Sequence, residues 1–276
     1  MFELVIDSEA PHAQPSSAGT PIQMWQDLDD RVFAYGYAGD GCWTMEWPGY
    51  ATFRFGPSIG EGVVRATHRS GVAPSRIEDT CRRSVLPLAL QASGYETLHA
   101  SAVSTDAGVT AFCGERGAGK STVAYALARR GLRQYADDTL VLSVTPGGAD
   151  ALPLPFTPRL REASARFFDV TSEAPALRSR HSSALPLVAV CVLSPSPDAF
   201  APVIDTLDGT AAFKALLAHA HCFDPHTPSQ RERLLRNYLD LSAHVPVHAV
   251  RYAPGLKRLD DLLNTILEKV HMPVPA

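Results

Sequence analysis

The sequence predicts an α/β protein: a mixed sheet with flanking helices and, before it, a small β-rich N-terminal part. Three observations lead to this prediction. A glycine-rich loop lies between a strand pattern and a helix pattern at residues 109–130. Apolar runs typical of buried strands alternate with amphipathic helical segments towards the C-terminus. Short, aromatic-rich strand patterns separated by Gly and Pro occupy the residues before 74.

The N-terminal part is predicted to be an accessory region. FELVID alternates as a strand does, and RVFAYGYAG, CWTMEWPGYATFRFG and GVVRATH read as short strands. A helix pattern follows from Pro74, where Ser75 and Glu78 have the spacing of a capping box. We place the domain boundary inside or just before that helix, with residues 1–73 as the accessory region and residues 74–276 as the main domain.

The glycine-rich loop fits the P-loop (Walker A) pattern G-x-x-x-x-G-K-[ST]. The strand pattern VTAFC precedes it, and the helix pattern STVAYALARR follows it. In this arrangement backbone N–H groups and a helix N-terminus converge on phosphate oxygens. We therefore predict ATP binding, with Lys120 as the counter-charge to the terminal phosphates and the Ser121 hydroxyl as a ligand of Mg²⁺. The predicted nucleotide-binding residues are Gly114, Glu115, Arg116, Gly117, Ala118, Gly119, Lys120, Ser121 and Thr122.

Two adjacent carboxylates follow the loop after one helix and one turn. The segment LRQYADDTLVL reads as one new strand that begins near Leu132 and contains Asp137 and Asp138. Neighbouring parallel strands end close together, so we expect this pair beside the phosphates. One carboxylate can hold Mg²⁺ while the other accepts the proton of an attacking hydroxyl. We place Asp138 with Ser121 at the metal and keep both aspartates as catalytic candidates; a solvated turn is the alternative.

His99 is a further catalytic candidate together with Lys120. It ends the segment YETLH, and HASAV…VTAF predicts two strands joined at Ser104–Gly108. This hairpin would bring His99 back towards the loop. A purely structural histidine is the alternative interpretation.

The segments LHASAV, GERGAGKST and RRGLRQYADDTLVL together resemble the catalytic domain of the HPr kinase/phosphorylase family. They are most similar to the shorter relatives found in peptide-modification gene clusters, which include the kinases of lasso-peptide precursors. The similarity is clear over residues 86–142. It implies the fold of an HPr kinase C-terminal domain and an active site lined by His99, the P-loop and the aspartate pair. It also implies that the phosphoryl acceptor is a serine of a ribosomally made precursor peptide or small protein.

The chain departs from the bifunctional members of that family. Arg116 stands where they have a small residue, and Thr122 stands where they have a glutamate. The Pro-Arg-Leu segment after the aspartates is similar to the shorter relatives instead. Two cations of that segment, Arg159 and Arg161, are predicted to reach the cleft and bind substrate or the transferring phosphoryl group; exposed loop cations are the alternative interpretation.

Composition narrows the class of protein further. A net charge of −4 argues against a nucleic-acid or anionic-membrane binder. No apolar run approaches 18 residues, and the five scattered cysteines indicate no disulfide framework, so a cytoplasmic protein is expected. His219, His221, Cys222 and His226 lack the spacing of a metal site.

The C-terminal part predicts the remaining elements. LPLVAVCVLS reads as a buried strand, DGTAAFKALLAHAHCF and TPSQRERLLRNYLDLSAHV as helices, and VPVHAVRYA with LKRLDDLLNTILEKV as a final strand and helix. The predicted function is ATP-dependent, Mg²⁺-assisted phosphoryl transfer to a hydroxyl. A small-molecule kinase and a P-loop ATPase or nucleotide switch remain alternatives, and a homo-oligomer is left open.

Overall fold

The chain is an α/β protein, as its sequence predicts. A computed structural model describes residues 2–7, 19–27, 29–39, 41–171, 183–223 and 227–270. It divides into two compact units, Met1–Tyr95 with Cys222–Arg231 and Glu96–His221 with Glu232–Ala276. The described residues of each unit form one mixed β-sheet. In the part of the chain that the structure describes, no helix is long and apolar enough to cross a membrane.

The sheet of the first unit is built mainly from hairpins. Its strands are β1 (Glu3–Ile6), β2 (Gln23–Gln26), β3 (Val32–Gly39), β4 (Cys42–Trp47), β5 (Ala51–Gly56) and β6 (Gly60–His68). Their order is β1-β6-β5-β4-β3-β2, with β1 parallel to β6 and the other pairs antiparallel. The sequence places short turns between β3, β4, β5 and β6, which favours this meander.

The helical segment after β6 consists of α1 (Pro74–Thr80), one π-helical turn (Cys81–Val85) and α2 (Leu86–Ala92). Its buried side chains, Ile77 and Leu88 among them, join the cluster around Phe53 and Phe55. The first unit therefore includes this helical segment and extends to Tyr95.

The expected capping box at Ser75 and Glu78 is wrong. The N-cap residue is Ala73, no side chain caps the helix, and Pro74 occupies the first turn. Because the helix begins at Pro74, both polar residues lie inside it rather than at its end. Proline at this position needs no N–H partner, which explains why the helix starts there.

Nine strands of the second unit's sheet lie within the described ranges. They are β7 (Glu96–Leu98), β8 (Ser101–Thr105), β9 (Gly108–Gly114), β10 (Arg133–Ala136), β11 (Leu140–Thr145), β12 (Gly148–Leu152), β13 (Leu185–Pro195), β14 (Val203–Thr206) and β15 (Val247–Tyr252). The remaining helices are α3 (Lys120–Arg129), α4 (Glu162–Phe168), α5 (Gly209–Ala218), α6 (Pro228–His244) and α7 (Leu259–Lys269), with a short 3₁₀ turn at Leu256–Arg258.

Strand order gathers four carboxyl ends at one edge of this sheet. The order β10-β8-β9-β13 continues into β15 and β14. β8 is antiparallel to both β9 and β10, so β10 runs parallel to β9. β13 is parallel to β9, and β15 is parallel to β13. The loops that follow β9, β10, β13 and β15 therefore emerge together, as loops of parallel strands do.

The strand predicted over LRQYADDTLVL is wrong in one respect, because it is two strands. β10 pairs with β8, whereas β11 pairs with β7 and β12. Between them Asp138 has the left-handed backbone angle φ 65°. A non-glycine residue in that region marks a turn, and Asp is among the residues that tolerate it best. The chain changes partner strands at the aspartate pair, which takes both carboxylates out of the ladder.

The hydrophobic core of this unit lies around α3. Val123 and Leu127 of α3 pack with Phe112 of β9 and with Leu262 and Ile266 of α7. The apolar run predicted as a buried strand is β13, and the predicted hairpin is β8–β9. The sequence did not predict β12 or α4, because prolines and glycines surround both and the region reads as loop.

Candidate functional site

The glycine-rich loop occupies the junction of β9 and α3, as predicted. Gly114 and Gly117 have φ values of 143° and 96°, a region that favours glycine. A Cβ atom at Gly114 would lie 2.6 Å from the carbonyl oxygen of Leu193, so only glycine fits there. At Gly117 the nearest neighbour of a Cβ would be the guanidinium of Arg161, at 3.1 Å. Glycine at these two positions thus lets the loop backbone lie close to the Leu193 carbonyl oxygen and to the Arg161 guanidinium.

Lys120 is folded back over this loop. Its Nζ donates to the carbonyl oxygens of Gly114 (2.8 Å) and Glu115 (3.4 Å). The residue is only 7% exposed. Burial lowers the pKa of the Lys120 ammonium, while the thiol of Cys113 and the carboxylate of Asp138 act in the opposite direction. The ammonium is therefore positioned to meet anionic oxygens at the mouth of the loop.

Asp137 is tied to the loop through two serines. The hydroxyl of Ser101 donates to Asp137 Oδ1 (2.7 Å) and lies 3.4 Å from the hydroxyl oxygen of Ser121. The other carboxylate oxygen accepts the backbone N–H of Arg159 (2.9 Å). Burial, followed by the charge of Asp138, raises the pKa of Asp137, and the hydrogen bonds from Arg159 and Ser101 partly offset this. One carboxylate oxygen is thus grouped with two hydroxyls next to the helix N-terminus.

Asp138 and His99 lie on the open side of the same site. The Nδ1 atom of His99 is 2.9 Å from the backbone carbonyl oxygen of Asp138. The backbone N–H of His99 donates in turn to the carbonyl oxygen of His219, at 2.8 Å. Both Asp138 and His99 line the cavity described next. The predicted return of His99 to the loop is therefore seen in the structure, although its role remains a prediction.

One cavity of about 480 Å³ brings most of the predicted residues together. This volume is in the range of small-molecule sites. Its lining includes the predicted residues His99, Arg116, Gly117, Gly119, Lys120, Ser121, Thr122, Asp138, Arg159 and Arg161. Gly114, Glu115, Ala118 and Asp137 lie outside the lining; of these, Asp137 is joined to it through the two serines.

Three contributors to the site were missed from the sequence. Ser101 is fully buried at the start of β8, and the strand pattern read there gave no sign of its contact with Asp137. Ser164 of α4 hydrogen-bonds to Thr122 at 2.9 Å, and no local pattern indicates this contact. The Tyr252 hydroxyl donates to the carbonyl oxygen of Ala118, a contact between residues 134 positions apart.

Two histidines near residue 220, His219 and His221, lie beside the site. The ring of His221 meets that of His99 edge to face, with centroids 6.4 Å apart. Burial lowers the pKa of His221 to about 4, with His99 adding to the effect. Among the described residues no group of three or more His, Cys, Asp or Glu side chains is arranged to hold a metal ion. His226, considered with them in the sequence, is outside the described residues.

Fold and site together define a mixed α/β protein in which a glycine-rich loop, a lysine, a hydroxyl and a carboxylate pair meet at one sheet edge. No known protein-family model matches the chain, and no curated protein sequence matches it. Among solved structures, it is similar to the HPr(Ser) kinase/phosphatase from Coxiella burnetii. That similarity has 15% sequence identity and a TM-score of 0.33, over 63% of this chain and 89% of the other. At this level of similarity we draw no argument from it.

Proposed function

We propose that this protein is a kinase that transfers the terminal phosphoryl group of ATP, with Mg²⁺, to a hydroxyl. The observation that carries the proposal is the shared cavity, in which Lys120 and Ser121 of the loop face the same space as Asp138. Phosphoryl transfer requires a phosphate cradle, a cation site and a proton acceptor within one small volume. The residues that line the cavity, together with Asp137, which is joined to the lining through Ser101 and Ser121, supply each of these.

The donor set suits a nucleotide with a divalent cation. The glycine backbone has no room for a Cβ at Gly114, and the N-terminus of α3 lies directly behind the loop. Mg²⁺, when bound, would neutralise phosphate charge through hard oxygen ligands. The contacts favour Asp137 and Ser121 as the residues that would hold it, because Asp137 shares the hydroxyl of Ser101 with Ser121. This exchanges the two aspartates relative to the sequence-based assignment, which put Asp138 at the metal.

Asp138 then serves as the proton acceptor. As the oxygen of the acceptor hydroxyl forms its bond to the γ-phosphorus, the bond from that phosphorus to the bridging oxygen breaks and ADP departs with the electron pair. The hydroxyl proton passes to the Asp138 carboxylate. Lys120, the loop amides and the Arg161 guanidinium stabilise the charge on the transferring group. His99 positions Asp138 through the carbonyl oxygen that lies next to its Nδ1 atom.

The acceptor is proposed to be a serine of a precursor peptide or small protein. Support comes from the resemblance of LHASAV, GERGAGKST and RRGLRQYADDTLVL to kinases of ribosomally made peptides. Arg159 and Arg161 line the cavity and would bind an acidic or phosphorylated group of the substrate. We keep the small-molecule kinase and the nucleotide switch as alternatives that the experiment separates.

The test is a transfer assay with γ-labelled ATP and Mg²⁺ in three arms: a library of serine-containing peptides, a pool of hydroxylated metabolites, and no acceptor. We expect label in peptides. Lys120→Ala should lower transfer by about a thousandfold, because the phosphate counter-charge is lost. The matched control is Lys214→Ala, which removes an exposed lysine of α5 and should leave the rate unchanged. Label in a metabolite would identify a small-molecule kinase, and hydrolysis without labelled acceptor would favour the switch.

A further inference from the structure

The cavity continues past the glycine-rich loop, on the side away from the aspartates. Its wall there is formed by the ends of β13 and β15 and by the segment that leads into α7. These residues are mostly apolar and include one guanidinium: Pro195, Pro254, Leu256, Arg258, Leu259 and Leu262. The transfer chemistry proposed above uses none of them.

Strand order gives this wall a defined position relative to the chemistry. In the order β10-β8-β9-β13-β15, the aspartates follow β10 and the wall follows β15. Each of these strands is two positions from β9, which carries the loop. With about 4.8 Å between neighbouring strands, each side lies roughly 10 Å from the loop. A triphosphate whose terminal group is near Asp138 must therefore extend its other end towards β15.

The wall is fixed to the loop by direct contacts. The Tyr252 hydroxyl at the end of β15 donates to the carbonyl oxygen of Ala118. A Cβ atom at Gly119 would lie 3.3 Å from the same hydroxyl oxygen. Leu259 and Leu262 belong to the buried core around α3, and Leu256 packs at its margin. The distance between loop and wall is thus set by packed side chains, as a binding site for a rigid ligand requires.

The chemistry of the wall suits an uncharged, planar group. Leucine and proline carbons offer apolar contact, and Arg258 offers the flat face of a cation that can lie on an aromatic ring. Arg258 is exposed and is held at its tip, where Nη1 donates to the carbonyl oxygen of Phe200 (3.4 Å). A second phosphate would require more than this single cation, and the acceptor hydroxyl has to reach Asp138 on the opposite side.

We infer that the segment Pro254–Leu262 binds the nucleoside part of the nucleotide, with the base between Leu256 and the guanidinium of Arg258. This inference rests on the proposed function, because it takes the ligand of the loop to be a nucleoside triphosphate. It assigns a subsite that contributes affinity for the nucleoside and none for the phosphates.

The experiment compares two probes by isothermal titration: ATP with Mg²⁺, and inorganic tripolyphosphate with Mg²⁺. Two variants keep the charge of the wall and change its contacts. Leu256→Ala removes apolar surface, and Arg258→Lys keeps the cation but loses its flat face. We expect each to weaken ATP binding by about three- to tenfold, and tripolyphosphate binding by less than about twofold. Leu235→Ala, at a leucine of α6 that is 44% exposed, is the matched control and should change neither.

The outcomes separate the inference from the proposed function. Unchanged ATP binding in both variants, or equal losses for ATP and tripolyphosphate, would overturn the nucleoside subsite. If the unchanged protein binds neither probe, the proposed function fails instead. Arg258 is on the surface, so Arg258→Lys tests the inference even if Leu256→Ala disturbs the fold.

Discussion

The two sheets of this protein are built from similar strands and differ in how those strands are connected. Between β2 and β6 the first sheet is a meander, in which each strand is antiparallel to the next. Successive turns of a meander lie at alternating ends, so its polar residues are divided between two edges. The second sheet contains the parallel set β10, β9, β13 and β15, whose carboxyl ends share one edge.

This difference in connection explains where the candidate site lies. Residues far apart in the sequence, from His99 to Leu262, line one cavity because their loops leave the same edge. In α/β proteins, parallel strands bring functional residues together at the carboxyl ends of the sheet. Aromatic pairs dominate the first sheet instead, such as Trp43 with Phe55 and Trp47 with Phe53. Its three tryptophans pack at the margin of its core.

The largest expected effect tests the two aspartates that follow β10 at the shared edge of the second sheet. Asp138→Asn should reduce turnover by about a thousandfold if its carboxylate accepts the proton. Asp137→Asn should instead raise the Mg²⁺ concentration needed for half-maximal rate. The reason is that Asp137, grouped with the hydroxyl of Ser121 through Ser101, would lose the charged oxygen proposed to hold Mg²⁺. Turnover measured against Mg²⁺ concentration distinguishes the two. Asp106→Asn, at an exposed turn residue, is the control. If Mg²⁺ dependence moved with Asp138→Asn alone, the two roles would be reversed.

The next prediction concerns the core of the first sheet. Phe53 is fully buried, so Phe53→Ala should reduce the free energy of unfolding by about 3–5 kcal/mol. Phe33→Ala, at a residue of β3 that is 45% exposed, should change it by about 0.5 kcal/mol or less. Chemical denaturation measures both. All the nucleotide contacts proposed above lie in the second unit, so ATP affinity of folded Phe53→Ala should be unchanged. A large loss of ATP affinity in folded Phe53→Ala would contradict this assignment of the nucleotide contacts to the second unit.

A third, smaller effect compares two carboxylates of the second unit, Asp137 and Glu96. Asp137 accepts hydrogen bonds from Ser101 and Arg159, whereas Glu96 Oε1 accepts one from Asn237 (2.7 Å) and its Oε2 has no partner among the described residues. Burial raises the pKa of Glu96 to about 7. The hydrogen bond from Asn237 offsets only part of this effect, so the Glu96 carboxyl stays protonated until near neutral pH.

The sign of the resulting pH dependence follows from proton binding. Between pH 4.5 and about 7 the unfolded chain has released the Glu96 proton while the folded chain retains it. Stability therefore falls as pH rises through this window and levels off above it. Relative to Glu96→Gln, the unchanged protein should lose up to about 3 kcal/mol between pH 5 and pH 8. Urea denaturation at both pH values measures this, and equal slopes in the two proteins would contradict it.

The smallest expected effect concerns Ser101. Ser101→Ala removes the hydroxyl that joins Asp137 to Ser121 and should lower kcat by about tenfold, with KM for ATP little changed. The Mg²⁺ requirement should rise, which a merely structural serine would not cause. Ser104→Ala, a buried serine on the same strand, is the matched control. If Ser101→Ala and Ser104→Ala changed kcat and the Mg²⁺ requirement equally, Ser101 would have only a packing role.

Local patterns predicted much of the site. The strand, the glycine-rich loop and α3 are consecutive in sequence, and the β8–β9 hairpin is set by a short turn, so each can be inferred from neighbouring residues. The break between β10 and β11 was not predicted. The break depends on which strands each segment pairs with. The local alternation of polar and apolar residues does not predict that β10 pairs with β8.

The sequence by itself determined the glycine-rich loop, the residue types that surround it and the α/β class, because the backbone freedom of glycine and apolar periodicity are local properties. Only the tertiary structure decided that Asp137 turns towards Ser121 while Asp138 faces the cavity, and that the segment after β15 forms its far wall. These placements depend on strand order and on contacts such as Tyr252 with Ala118, which join residues more than a hundred positions apart.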